Sequence, residues 1–85
     1  MALRAEIHSH ARERAPERGA SEDEIVATVL AGETFPAKFG RVGFRRNFRF
    51  NGMWRGKRYA TKQVEAYAVE KADHWLVLTV ITKYF

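Results

Sequence analysis

The run Trp75-Leu76-Val77-Leu78-Thr79-Val80-Ile81 constrains the fold most. A chain of 85 residues has one small core to build, and a nearly continuous apolar stretch has to contribute to it. Such a run is expected of a strand buried on both faces in the middle of a sheet. Residues 63–71 and 74–84 therefore read as two strands joined by a turn around Lys71-Ala72-Asp73, a hairpin that anchors the core.

Upstream, the pattern takes a period of two from Thr34. Phe44, Phe48 and Phe50 share one face of a strand over roughly 42–50, and Arg45, Asn47 and Arg49 take the other. Asn51-Gly52 is a strong hairpin signal, since both residues tolerate the positive φ angles of a type I′ turn. That loop sets Phe50 against Met53, Arg49 against Trp54, Arg46 against Lys57 and Arg45 against Arg58. Two like-charge pairs then oppose each other, at a cost on the order of a few tenths to 1 kcal/mol each, which an anionic partner would relieve. A longer loop through Gly56 moves these pairings.

The first third is patterned for helices. Ser9 can cap a helix over His10 to about Arg18, with Gly19 as its left-handed stop. Within it His10, Arg14 and Arg18 recur at i, i+4 and i+8, the spacing that lines side chains along one face. Pro16 interrupts this stripe, because it lacks an N–H and disfavours helical geometry at Ala15. Ser21 and Glu24 form a capping box that opens a second helix, with Ile25, Val26, Val29 and Leu30 as its apolar face and Gly32 as its end. The expected architecture is a single α+β domain over residues 1–85, with two N-terminal helices packed on a mainly antiparallel sheet of about four strands. The helices cover one sheet face and leave the other open.

Residues 34–64 hold no Asp or Glu, nine Lys or Arg and seven aromatic residues. Residues 1–33 carry four basic and seven acidic residues and residues 65–85 two and three, so the three segments have charges of −3, +9 and −1 within a total of +5. Cations interleaved with flat rings neutralise a phosphate backbone and offer stacking faces to exposed bases, which makes nucleic acid, and RNA first, the expected partner. Apolar residues at 46% and charged residues at 29% are ordinary for a globular chain. The absence of cysteine rules out disulfides and thiolate metal sites and suits the cytoplasm. Residues MALRAEIHSHARER lack the apolar run of a signal peptide, and no window is long and apolar enough for a membrane helix, so neither export nor a membrane is expected.

His10-Ala11, Arg14, Arg18-Gly19, Ser21 and the acidic helix start resemble the opening His-Ala-x-x-Arg-x-x-x-Arg-Gly segment of the DUF4258 family. The closing Trp75–Ile81 run, with Thr79 before Val80, resembles that family's terminal strand. The helix-helix-strands order is similar to RelE/ParE-like toxins, small basic proteins many of which cleave RNA. This resemblance implies a RelE-like fold, an activity of the mRNA-interferase type and an acidic, antitoxin-like protein partner.

Cleavage of RNA by its own 2′-hydroxyl needs a proton acceptor, a proton donor and cations around the phosphate, and it needs no cofactor. His10 is the candidate acid or base, with Arg14 and Arg18 as phosphate clamps. Arg45, Arg49, Lys57 and Arg58 are candidates for tracking the backbone, and Trp54 and Tyr59 for stacking. The competing reading is a nucleic-acid-binding or protein-interaction module without catalysis, in which His10 and Arg14 merely cap the helix and pair with Glu13, Glu17 or the C-terminal strand. His8, His10 and His74 make a poor metal set, since a helix start turns the side chains at i and i+2 apart.

Overall fold

The computed structural model describes residues 3–85. In chain order it contains strand β1 (Arg4–Ile7), helix α1 (Ser9–Arg14), a 3-10 turn (Ala15–Arg18), helix α2 (Glu22–Ala31) and strands β2 (Glu33–Pro36), β3 (Val42–Trp54), β4 (Lys57–Glu70) and β5 (His74–Tyr84). The five strands form one sheet in the order β1-β5-β4-β3-β2. β1 runs parallel to β5, and the other neighbours are antiparallel. The α+β class with two helices is as expected, but the sheet has five strands and is mixed. The expected hairpin strand after Asn51-Gly52 and the expected strand over 63–71 are one continuous strand, β4. Two strands were not expected, β1 and β2, which have four residues each, too few for a period to show.

β3 and β4 dominate the shape. With thirteen and fourteen residues at about 3.3 Å per residue, they run the full 41 Å of the long axis. They are joined at Arg55-Gly56, whose φ angles of 51° and 83° are those of a type I′ turn. Asn51, at φ 43°, sits instead in a bulge between Arg49 and Gly52. Both dipeptides tolerate positive φ; the bulge takes one and the turn the other. The register differs accordingly from the one expected. Arg45 lies opposite Glu65, Arg46 opposite Val64, Met53 opposite Arg58 and Trp54 opposite Lys57. The like-charge pairs are absent, and with them the repulsion that an anion would relieve.

A second irregularity lies between β4 and β5, where Tyr67 pairs with Thr79 but Ala68 pairs with Val77. The extra residue, Leu78, shifts the phase of β5, so Val77 and Val80 both reach 0% exposure although they are three apart. The apolar run is thus buried on one face only, and Ile81 remains 38% exposed. The central strand is β4.

The helices pack on one face of this sheet. Ala11, Ala15, Ile25 and Val29 join Phe44, Val64, Ala66, Val77 and Val80 in a single core. His8, with extended backbone and a ring that accepts from the His10 N–H, caps α1 in place of Ser9. At Pro16 the α-helix gives way to the 3-10 turn, which ends at Gly19 with φ 77°. The His10–Arg18 stripe is therefore broken. The capping box of Ser21 and Glu24 is present. α2 buries Ile25, Thr28 and Val29 and leaves Leu30 54% exposed. Thr28 tolerates burial because its hydroxyl donates to the Glu24 carbonyl.

Glu24 has a second role. Its carboxylate accepts from Lys62 Nζ at 2.8 Å, and the same ammonium donates to the Gly19 carbonyl at 2.8 Å and lies 5.4 Å from the Phe50 ring centre. Lys62 is 8% exposed. Burial alone would push the Glu24 carboxyl up, but the hydrogen bonds from Lys62 and Ser21, with the ammonium charge, hold it below its ordinary value. A depressed carboxyl stabilises the fold fully above its unfolded value of about 4.3 and loses that contribution as pH falls through the folded value. Removing one partner leaves a desolvated charge behind. Lys62→Ala should therefore cost about 1.5–3 kcal/mol in urea unfolding at neutral pH, and this deficit against wild type should shrink on acidification below about pH 4.

Candidate nucleic-acid interface

Alternation along β3 and β4 decides which side chains share a face. Phe44 points into the core, and Phe50 points to the same side, where its ring meets Tyr84. Arg45 and Arg49 therefore point to the open face of the sheet, while Arg58 lies beyond the bulge and donates to the Asn51 carbonyl. Trp54, Lys57 and Tyr59 lie on the helix side. The last contact between β4 and β5 is the Thr61–Phe85 pair. Beyond it the hairpin continues as a two-stranded arm, residues 50–60, with cations on both of its faces and at its tip.

The aromatic side of the arm is a packing surface. Trp54 stacks on Tyr84 at 4.7 Å, and Tyr59 sits 5.7 Å from the same ring. Arg55 lies over the Trp54 ring at 5.2 Å and Lys57 over Tyr59 at 5.5 Å. A Cβ on Gly19 would come within 2.8 Å of Trp54 and 2.2 Å of the Tyr84 hydroxyl, so the turn rests directly on these rings and admits no larger residue. Trp54 and Tyr59 hold the arm to the body.

Arg18 is also structural in part. Its guanidinium donates to the Val80 carbonyl at 3.0 Å on β5, where β1 no longer covers the strand, and its own carbonyl accepts from the hydroxyls of Thr82 and Tyr84. With Trp54, Arg55, Ile81, Thr82 and Tyr84 it lines a cleft of about 290 Å³. Arg55 reaches across to the Glu17 carbonyl at 3.4 Å. Two guanidinium groups in one cleft are suited to an anion.

His10 and Arg14 lie elsewhere. Both are exposed on α1, on the far side of the sheet from Arg45 and Arg49. The His10 ring has no hydrogen-bond partner among the described residues, while Arg14 approaches Glu17 at 3.8 Å. The structure brings Arg18 together with Trp54 and Arg55; it does not bring the three helix residues together with the open face.

Ion pairing separates the cations into two sets. On the open face Arg45 is held by Glu33 at 3.0 Å and also feels the charge of Glu65. Glu65 is only 4% exposed. Burial would raise its pKa, but hydrogen bonds from Tyr67 and Lys83 and the charges of Lys83 and Arg45 hold it below the ordinary value, so it stays ionised. Arg45 is thereby neutralised by the protein's own carboxylates. Arg49, Arg55, Lys57 and Arg58 have no carboxylate within 4.0 Å among the described residues, and residues 46–61 contain none. Arg58 donates only to the Asn51 carbonyl, at 3.3 Å. At the opposite corner His74 is engaged by Glu6 and Asp73, both of which also bind Arg4. Among the described residues no cluster of His, Asp and Glu is arranged to hold a metal ion, and no helix is long and apolar enough to cross a membrane.

Aromatic residues on strands are expected in the core more often than on a binding surface, yet of the six phenylalanines only Phe44 is buried, and Phe39 is 87% exposed at φ 62°. The available signal was its setting, Lys38-Phe39-Gly40-Arg41, in a turn after Pro36. No family model, curated protein or solved structure matches the chain. The resemblance to DUF4258 and to RelE/ParE-like toxins accordingly rests on the residues quoted for it.

Proposed function

We propose that this protein binds single-stranded nucleic acid, RNA in the first place, with the β3–β4 arm as its principal contact. The supporting observation is that Arg49, Arg55, Lys57 and Arg58 stand close together on one hairpin, within a stretch that holds no carboxylate from residue 46 to 61, and carry no ion pair among the described residues. By contrast, Arg4, Arg12, Arg14, Arg45, Lys62 and Lys83 each have a carboxylate within 4.0 Å, and the other unpaired cations, Arg18, Lys38, Arg41, Arg46 and Lys71, are spread over the rest of the fold. A narrow ribbon bearing unpaired cations on two faces suits a flexible phosphodiester, because backbone charge can be met from either side. This reading takes the RelE-like, cytoplasmic, toxin-like assignment as its setting. In that setting an acidic antitoxin-like protein would compete with RNA for the same arm. Non-catalytic binding is the function the geometry supports best.

Ribonuclease activity is a second reading, favoured by the exposed and unpartnered His10 ring one helical turn from Arg14. In it a strand lying on the helix side of the arm passes the Arg18–Arg55 cleft towards α1, and His10 moves the proton. It requires no cofactor.

Two measurements test these readings. For a short RNA, the slope of log affinity against log salt should shrink by about 1.4 in Arg49→Gln/Arg58→Gln, at about 0.7 for each lost phosphate contact. Salt-indifferent binding by the wild type, or an unchanged slope in the double variant, contradicts the arm as the contact. RNA incubated with the protein in EDTA should be cut only if the second reading holds, and His10→Ala should then abolish cutting; undiminished cleavage by that variant removes His10 from the chemistry.

A further inference from the structure

The end of the sheet remote from the arm holds a second aromatic and cationic feature. Between β2 and β3, residues Phe35, Pro36, Lys38, Phe39, Arg41 and Tyr67 line a pocket of about 340 Å³, at the small end of the range of roughly 300–1,000 Å³ usual for ligand sites. Its floor is constructed. Phe35 meets Tyr67 edge-to-face at 5.8 Å, and a Cβ on Gly43 would fall 2.4 Å from the Phe35 ring, so this ring can lie on the sheet only over a glycine. Tyr67 is fixed by its hydroxyl, which donates to Glu65 at 2.8 Å. The wall is different. Phe39 has left-handed backbone, which is costly for a residue with a side chain, and it buries almost nothing in return. Lys38 and Arg41 flank it, and neither has a carboxylate within 4.0 Å among the described residues.

We infer that this pocket is a nucleotide site, in which one unstacked base packs between Phe39 and the Phe35–Tyr67 floor while Lys38 and Arg41 take its phosphate. Aromatic rings alone would suit any apolar ligand, and cations alone any anion. A flat ring joined to a phosphate satisfies both sets at once. The location adds a second argument. Phe35 and Tyr67 belong to the open face, Arg45 lies over Phe35 at 4.7 Å, and from there Asn47 and Arg49 lead along β3 to the arm. One strand of nucleic acid can therefore pass from the arm to the pocket, which would hold a base about 40 Å from the hairpin tip at about 3.3 Å per residue of β3. The extended path rests on the nucleic-acid reading above; the pocket's preference for a nucleotide stands on its own lining.

The test separates the two. In a titration of the full chain with adenosine 5′-monophosphate followed by amide NMR, signals of residues 35–41 and of Tyr67 should shift, and these shifts should vanish in Phe39→Ala. Phe39 is 87% exposed, so this variant should fold. Inorganic phosphate should give weaker shifts confined to Lys38–Arg41; shifts equal to those from the nucleotide would mean an anion site only and would overturn the proposal. With an oligoadenylate of roughly ten nucleotides, Phe39→Ala should bind about tenfold more weakly, about 1.4 kcal/mol, with an unchanged salt slope because no charge is removed. If the wild type binds that strand and Phe39→Ala binds it equally well, the pocket is not part of the path. Failure of the wild type to bind the strand, with the mononucleotide shifts intact, refutes the arm reading and leaves the pocket standing.

Discussion

The contact between Lys62 and Glu24 is the joint on which the architecture turns. It lies at the root of the arm: Lys62 pairs with Tyr84 in the ladder, beside the Thr61–Phe85 pair. The ammonium binds the first turn of α2 through Glu24 and the preceding turn through the Gly19 carbonyl. Gly19 in turn supports Trp54 and Tyr84, and Arg55 reaches the Glu17 carbonyl. A buried pair of this kind adds little stability over a hydrophobic replacement, yet removing half of it is severe. Its value lies in position. It fixes the layer of helices against the root of a two-stranded extension that would be marginal if isolated in water.

That division of labour explains how a basic chain of this size can fold and still present charge. Several cations of the body are engaged by carboxylates or a carbonyl: Lys62 by Glu24, Arg45 by Glu33, Lys83 by Glu65, Arg18 by the Val80 carbonyl; among the described residues Lys38, Arg41 and Arg46 are not. Those on the arm meet only backbone carbonyls or aromatic faces. Ring faces and carbonyls orient a cation without cancelling its charge, so the arm keeps a positive field that a polyanion can neutralise. Of the candidate catalytic residues only Arg18 reaches the arm, in the cleft with Arg55; His10 and Arg14 lie on the outer surface of the helical layer, away from it.

Much of this was legible in the residues, and the exceptions share a cause. The capping box, the Gly19 stop and the turn around Lys71-Ala72-Asp73 depend on neighbours in the chain, and local chemistry identifies them. The bulges do not. Asn51-Gly52 and Arg55-Gly56 both permit positive φ, and only pairing with β4 over a dozen residues decides which becomes the turn. The bulge at Leu78 likewise follows from ladder register and hides the period of two in β5. Nothing local to Lys62 reveals that Glu24, 38 residues away in the chain, lies against it. Phe39 was the reverse case, an apolar residue whose type suggested burial and whose place in a tight loop excluded it.

The most direct test of the central claim, that an unpaired cationic arm holds the nucleic acid, is a map of contacts by ultraviolet crosslinking of the full chain to single-stranded RNA, read by peptide mass spectrometry. The account predicts crosslinked peptides from the hairpin, residues 49–59, with few from the outer surface of α1. Crosslinks concentrated on His10 and Arg14 with the hairpin unmodified would contradict it.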